Sequence, residues 1–283
     1  MKKILCPTDF SKTAAKAIDY AAFIAQGNHS HLTLLHVIHL PVVDTSDTAL
    51  VASEMLGDQR RDALGKLEAI RLHLQEKYGT DFNTGWTCDF LVEENLLADA
   101  VKVKTREEGY DLVVMGTTGG GNTLEEILIG SNTEAVMEDV QCPVLAIPSN
   151  APQPHMRKIV YASDFQEHDL VALQEILAFA RPFGAQVEVV HVNEERTEEN
   201  TAKITAFQER LSQTLPGNTV AFHEIIHPKE DIGLKGYLTQ TNSDILVIMR
   251  KRRNFFRDLF RQSLAEKLTY QTKLPLLVIH EKK

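Results

Sequence analysis

The chain repeats itself. Lys3-Ile4-Leu5-Cys6-Pro7-Thr8-Asp9-Phe10 returns as Lys158-Ile159-Val160-Tyr161-Ala162-Ser163-Asp164-Phe165, 155 positions on. Leu35-His36-Val37 returns as Val190-His191-Val192 at the same offset. Asp111-Leu112-Val113-Val114-Met115 is answered by Asp244-Ile245-Leu246-Val247-Ile248-Met249, and Pro143-Val144-Leu145-Ala146-Ile147 by Pro275-Leu276-Leu277-Val278-Ile279. One unit has been copied, so the second half must take the fold of the first. A length of 283 residues suits two ordinary domains. Residues 148–154 hold three prolines and read as a linker. The expected organisation is a domain over 1–148, a linker over 149–156 and a second domain over 157–283.

Within the first copy, short apolar runs alternate with helical patterns. The runs are residues 3–6, 31–38, 86–92, 112–115 and 143–147. Ser11 stands where a helix N-cap belongs, with Ala14, Ile18, Ala21, Ala22 and Ala25 at helical spacing after it and Gly27-Asn28 as its end. A second helix is expected from about Ser53 to Tyr78, with Met55, Leu64, Leu67, Ile70 and Leu74 as its apolar face. A third runs from Leu96 to Thr105 on Leu97, Ala98, Val101 and Val103, and a fourth starts at Ser131. Strands alternating with helices imply an α/β fold: in each copy, a doubly wound, open, parallel five-stranded sheet with right-handed crossovers. With strand order 3-2-1-4-5, the order reverses between strands 1 and 4, and ligands bind such sheets outside the carboxyl ends at that reversal. Thr8-Asp9 and Gly116 to Gly119 lie at those two ends.

The stretch Met115-Gly116-Thr117-Thr118-Gly119-Gly120-Gly121-Asn122 leaves the fourth strand and leads to Gly130-Ser131-Asn132-Thr133. Glycines let a ligand approach the backbone, and the positive end of the following helix favours an anion. The stretch resembles a phosphate-binding P-loop, but Asn122 replaces the lysine. It is not a dinucleotide fingerprint, because Leu124 stands where the third glycine belongs. A plain turn after a strand is the competing reading of the loop alone.

Hydrophobic residues make up 43% and charged residues 24%, the balance of a soluble globular chain. The net charge of −9 argues against nucleic acid or an anionic membrane as a general partner. No apolar run is long enough to span a bilayer. Cys6, Cys88 and Cys142 are scattered, with neither metal nor disulfide spacing, so a reducing, cytoplasmic location is expected. Cys6 reads as a buried thiol. His31 and His39 share strand parity and His36 does not, which disfavours a three-histidine metal site. His36 and His191 are repeat equivalents and read as structural. Glu93-Glu94 and Glu125-Glu126 are adjacent pairs that do not face one another. There is no nucleophile elbow and no base for ATP hydrolysis, so no catalytic residue is assigned. Arg250, Lys251, Arg252, Arg253, Arg257 and Arg261 form a basic cluster, read either as a solvated loop or as a docking site for an anion.

At this point the chain resembles the universal stress protein family in a tandem form. The residues that carry the resemblance are Pro7-Thr8-Asp9-Phe10-Ser11, Leu35-His36-Val37, Met115-Gly116-x-x-Gly119, Gly130-Ser131-Asn132 and Pro143-Val144-Leu145. The family signature spaces its second glycine nine residues from Gly-Ser; here ten separate Gly119 from Gly130. The resemblance implies that ATP, or AMP or ADP, binds the first domain. Pro7, Thr8 and Asp9 would meet the ribose or adenine end, and the backbone of Val37 would read the adenine edge. Met115, Gly116, Gly119 and Gly130 would approach ribose and phosphates, and Ser131, Asn132 and Thr133 would offer N–H groups or hydroxyls. Mg or Mn could bridge the phosphates, with no protein metal cage in view. Gly116→Val or Gly130→Val is expected to abolish binding with the fold intact. The resemblance further implies that the two last strands pair about a pseudo-twofold axis, one chain imitating a homodimer; a homodimer of whole chains stays open. The second domain reads Arg250-Lys251-Arg252-Arg253 after its fourth strand and Gln262 in place of Gly130, so it is expected not to bind ATP. Three functions follow: an ATP-binding stress-response switch with a protein partner, a slow ATP hydrolase or nucleotide transferase, or a scaffold using the basic loop.

Overall fold

A computed structural model describes residues 1–38, 46–79, 85–117, 130–217, 220–250 and 273–281. The chain divides into two compact units, Met1–Ser149 and Asn150–Lys283.

The first unit runs β1 (Lys3–Pro7), α1 (Lys12–Asn28), β2 (His31–Ile38), α2 (Ser46–Tyr78), β3 (Thr87–Glu94), α3 (Leu97–Glu107), β4 (Leu112–Gly116), α4 (Ser131–Asp139) and β5 (Val144–Ile147). All its strand pairs are parallel, in the order β3-β2-β1-β4-β5. Ile4 and Leu5 of β1 face Leu32 and Thr33 of β2 on one side, and Leu112 and Val113 of β4 on the other. These strands are continuous apolar runs because helices cover both faces of the sheet.

Ser11 caps α1, its hydroxyl accepting from the Ala14 N–H at 3.1 Å. Ala14, Ala17, Ala21, Ala22 and Ala25 are buried, and such small side chains let the helix lie close on the sheet. The helix ends at Asn28, as expected from Gly27-Asn28. His29 takes the left-handed conformation (φ 52°) and Ser30 N–H closes back on the Ala25 carbonyl at 2.9 Å. Helix α2 starts before the expected Ser53. Ala63, Leu67 and Leu74 form its buried stripe, Leu64 stands a hundred degrees further round, and Met55 is 57% exposed in a stretch (53–62) with no buried residue. In α3 the buried pair is Ala100 and Val101; Val103 is on the outer side. The apolar periodicity thus located these helices but over-assigned their buried faces.

The second unit runs β6 (Lys158–Ala162), α5 (Glu167–Ala180), a 3₁₀ turn (Arg181–Phe183), β7 (Gln186–Asn193), α6 (Glu198–Thr214), β8 (Val220–Ile226), α7 (Glu230–Gln240), β9 (Ile245–Arg250) and β10 (Leu276–His280). Its order, β8-β7-β6-β9-β10, is that of the first unit, again all parallel.

The copy extends to individual hydrogen bonds. The Asp111 carboxylate accepts from the backbone of Lys2 (2.5 Å) and Lys3 (3.0 Å), tying the start of β4 to the start of β1. Asp244 does the same with Arg157 (2.6 Å) and Lys158 (2.9 Å). At the other end of the first strand, Phe10 and Phe165 both have positive φ (63° and 56°). Their N–H groups donate to the hydroxyls of Thr8 and Ser163. A phenylalanine in this conformation is costly, and it recurs because its ring packs on the histidine of the next strand: Phe10 on His36 at 4.5 Å, Phe165 on His191 at 5.1 Å. Each histidine in turn holds the turn, Nδ1 of His36 on the Thr8 carbonyl (2.8 Å) and Nδ1 of His191 on that of Ser163 (2.6 Å). This turn lies at the carboxyl end of the sheet, where the strand order reverses.

Candidate functional site

In the first unit an open cleft lies at that end, where ligands bind parallel sheets of this order. Pro7, Thr8 and Asp9 line it from the end of β1, Val37 from β2, Met115 and Gly116 from β4, and Asn132 and Thr133 from α4. Eight of the residues singled out from sequence thus meet in one place, because the sheet order puts β4 beside β1. Gly130 and Ser131 adjoin them at the start of α4. Gly119 lies outside the described residues, as do Gly120, Gly121 and Asn122. Four further lining residues, Ser11, Ala14, His36 and Leu97, were given no site role by sequence reasoning.

Thr8 is buried and Asp9 is exposed, with its Oδ1 accepting from Ser11 N–H at 3.0 Å. The carboxylate therefore sits at the mouth of the cleft with lone pairs to spare. On the α4 side the donors are fewer than expected. The Gly130 N–H closes on the Thr117 carbonyl at 2.5 Å, and the Thr133 N–H on the Gly130 carbonyl at 2.8 Å. The Thr133 hydroxyl donates to the Gly116 carbonyl at 2.9 Å, pinning α4 to the end of β4. The N–H groups of Ser131 and Asn132, in the first turn, have no intrahelical acceptor and carry the positive end of the helix.

The two glycines also differ from expectation. A Cβ on Gly116 would stand 2.8 Å from Thr13 Cγ2 and 3.2 Å from the Thr13 backbone carbon. Gly116 is thus small because α1 presses on β4, and Gly116→Val would disturb that packing rather than leave the fold intact. Gly130 has φ −59° and ψ 148°, open to any residue.

Cys6 of β1 is fully buried and burial pushes its thiol far up; burial likewise pushes Cys88 and Cys142 up to about 12. None is a thiolate at neutral pH. Among the described residues no cluster of three or more His, Cys, Asp or Glu could hold a metal.

The second unit differs at a matching position. Asp169 stands at the repeat position of Ala14. Its carboxylate is buried and accepts from the Tyr161 hydroxyl (2.6 Å), the Ser163 hydroxyl (2.7 Å) and the Gln166 N–H (2.9 Å). Tyr161 occupies the position of Cys6 and is fully buried. Burial, then the adjacent Asp169, holds its hydroxyl protonated well beyond the usual range. The basic cluster lies outside the described residues from Lys251 onward, and so does Gln262.

A family model described as the Universal stress protein family matches residues 1–148 and again 155–280. The chain belongs to the universal stress protein family. Similar family members include Universal stress protein MJ0531 of Methanocaldococcus jannaschii, 30% identical over 149 residues, which span 52% of this chain and 81% of that protein. Universal stress protein YxiE of Bacillus subtilis is 28% identical over 152 residues, 51% of this chain and 97% of its own length. Among solved structures, a universal stress protein from Archaeoglobus fulgidus aligns over 99% of this chain and 98% of its own, with a TM-score of 0.72 at 17% identity. At that identity the likeness speaks for the family fold alone. No helix among the described residues is long and apolar enough to cross a membrane.

Proposed function

We propose that the first unit binds ATP or a related adenine nucleotide, and that occupancy makes this universal stress protein a switch or interaction module for a protein partner in the cytoplasm. The observation that carries the reading is the convergence, in one cleft at the strand reversal, of an exposed carboxylate (Asp9), a strand end (Val37) and the first turn of α4. Asp9 accepts from ribose hydroxyls or the adenine end. The backbone of Val37 reads the base edge, with Pro7, Thr8 and Met115 as walls. Ser131 and Asn132 take phosphate on their backbone N–H groups, the chemistry of helix N-termini. Gly116 and Gly130 flank the phosphate path, and Thr133 fixes α4 in place. Mg or Mn would be carried chiefly by the phosphates themselves. No residue is assigned to turnover. In the second unit a buried carboxylate, Asp169, held by Tyr161, replaces the cleft-lining Ala14, and that unit takes no nucleotide.

The test is calorimetric titration of the full chain with ATP, alongside mass spectrometry of small molecules released on denaturation. Asp9→Ala should weaken ATP binding on the order of tenfold, the worth of a hydrogen bond to a charged group. Wild-type protein that takes up no adenine nucleotide at millimolar concentration would overturn the proposal.

A further inference from the structure

The cleft contains a group that neither the repeat nor the nucleotide signature singles out as a ligand contact. The His36 imidazole lines it beside Val37. Its Nδ1 lies 2.8 Å from the Thr8 carbonyl oxygen, which can only accept, so the ring proton sits on Nδ1. In the neutral ring this leaves Nε2 as a bare acceptor, and Nε2 makes no hydrogen bond to any described residue. The charged groups near it are Asp9, also on the cleft, and Lys66 of α2, whose Nζ lies 5.3 Å from the Phe10 ring that packs on His36. From β3, the residue in register with His36 is the apolar Val92.

The second unit shows the alternative. His191 holds the Ser163 carbonyl through Nδ1 in the same way, but its Nε2 lies 3.0 Å from Asn193 Oδ1. Asn193 in turn donates to Glu224 at 2.8 Å. Ile38 occupies the position of Asn193 in the first unit and offers no such partner. The second copy ties off the second ring nitrogen, and the first leaves it without a described partner.

We infer that His36 Nε2 accepts a hydrogen bond from the 6-amino group of the bound purine and so selects 6-amino over 6-oxo bases. The inference rests on nucleotide binding in the first unit and adds a specificity residue to it. An inosine nucleotide presents a carbonyl oxygen where adenine presents the amine, setting acceptor against acceptor.

The experiment compares ATP with ITP on the full chain by calorimetry, for wild type, His36→Asn and His36→Gln. An Asn amide reaches the Nδ1 position and can keep the Thr8 bond but places nothing at Nε2. A Gln amide places its carbonyl near Nε2 and gives up the Thr8 bond. Wild type should prefer ATP by about tenfold or more, His36→Asn should lose about five- to tenfold of that preference, and His36→Gln should retain it. A preference unchanged in His36→Asn, an equal weakening of both nucleotides, or retention in Asn with loss in Gln would each overturn the role and leave His36 as a brace for Thr8. Wild type that binds neither nucleotide would overturn the underlying binding proposal, a separate and distinguishable failure.

Discussion

A single position separates the two copies most sharply. Ala14 lines the cleft of the first unit, and its counterpart Asp169 is a buried carboxylate with three hydrogen bonds. A buried carboxylate persists only where its lone pairs are met, and here they are. Asp169→Ala would strand the buried hydroxyls of Tyr161 and Ser163, so a loss of about 3 kcal/mol in urea unfolding is expected. An unchanged midpoint would mean the cluster contributes nothing to the second unit. Sequence comparison of the halves carried this signal, since an alanine opposite an aspartate within the repeat is visible in print. Its meaning was not, because nothing along the chain shows that Tyr161 and Ser163 converge on residue 169.

Among the elements, the carboxylate ties at Asp111 and Asp244 secure the amino ends of the sheets, and one further tie binds three elements of the second unit. Glu188 on β7 accepts from Tyr237 of α7 at 2.7 Å and pairs with Lys158 of β6 at 3.0 Å. Burial alone would raise its carboxyl, but the Tyr237 hydroxyl and then Lys158 outweigh burial and hold it below its ordinary 4.5. A carboxyl whose folded value is depressed binds its proton more weakly folded than unfolded. Its stabilisation is therefore complete above about pH 4.5 and is lost as the pH falls through the lowered folded value. Glu188→Gln should lower stability at pH 7 by about 1–2 kcal/mol and flatten the loss between pH 5 and pH 3 in urea titrations. An equally steep acid limb in the variant would assign that loss to other carboxylates.

For the whole molecule, the proposal of a nucleotide site in the first unit alone predicts the stoichiometry. One adenine nucleotide per chain is expected in native mass spectrometry, and two would overturn the proposal that the second unit takes none. Binding to the folded form alone stabilises it by about 2.7 kcal/mol at a free concentration one hundred times Kd. In thermal unfolding with ATP, the transition of the first unit should rise with concentration while that of the second stays fixed. A matching rise in the second transition would show that nucleotide reaches both units.

The order of apolar runs, the repeat offset and the helix cap at Ser11 were legible in the chain alone. They depend on local periodicity and on identity between copies, both one-dimensional properties. From them follow two parallel α/β units, the strand reversal beside Asp9 and the family. Tertiary structure decided what each glycine and each donor near the cleft is for. Gly116 is small because Thr13 of α1 rests on it, and the N–H of Gly130 and the hydroxyl of Thr133 are spent on Thr117 and Gly116. It also decided that His36 lines the cleft with one ring nitrogen committed and that Asp169 is buried against Tyr161 in the copy. These are contacts between residues far apart in sequence, and short-range packing and hydrogen bonding in three dimensions leave no periodic trace along the chain.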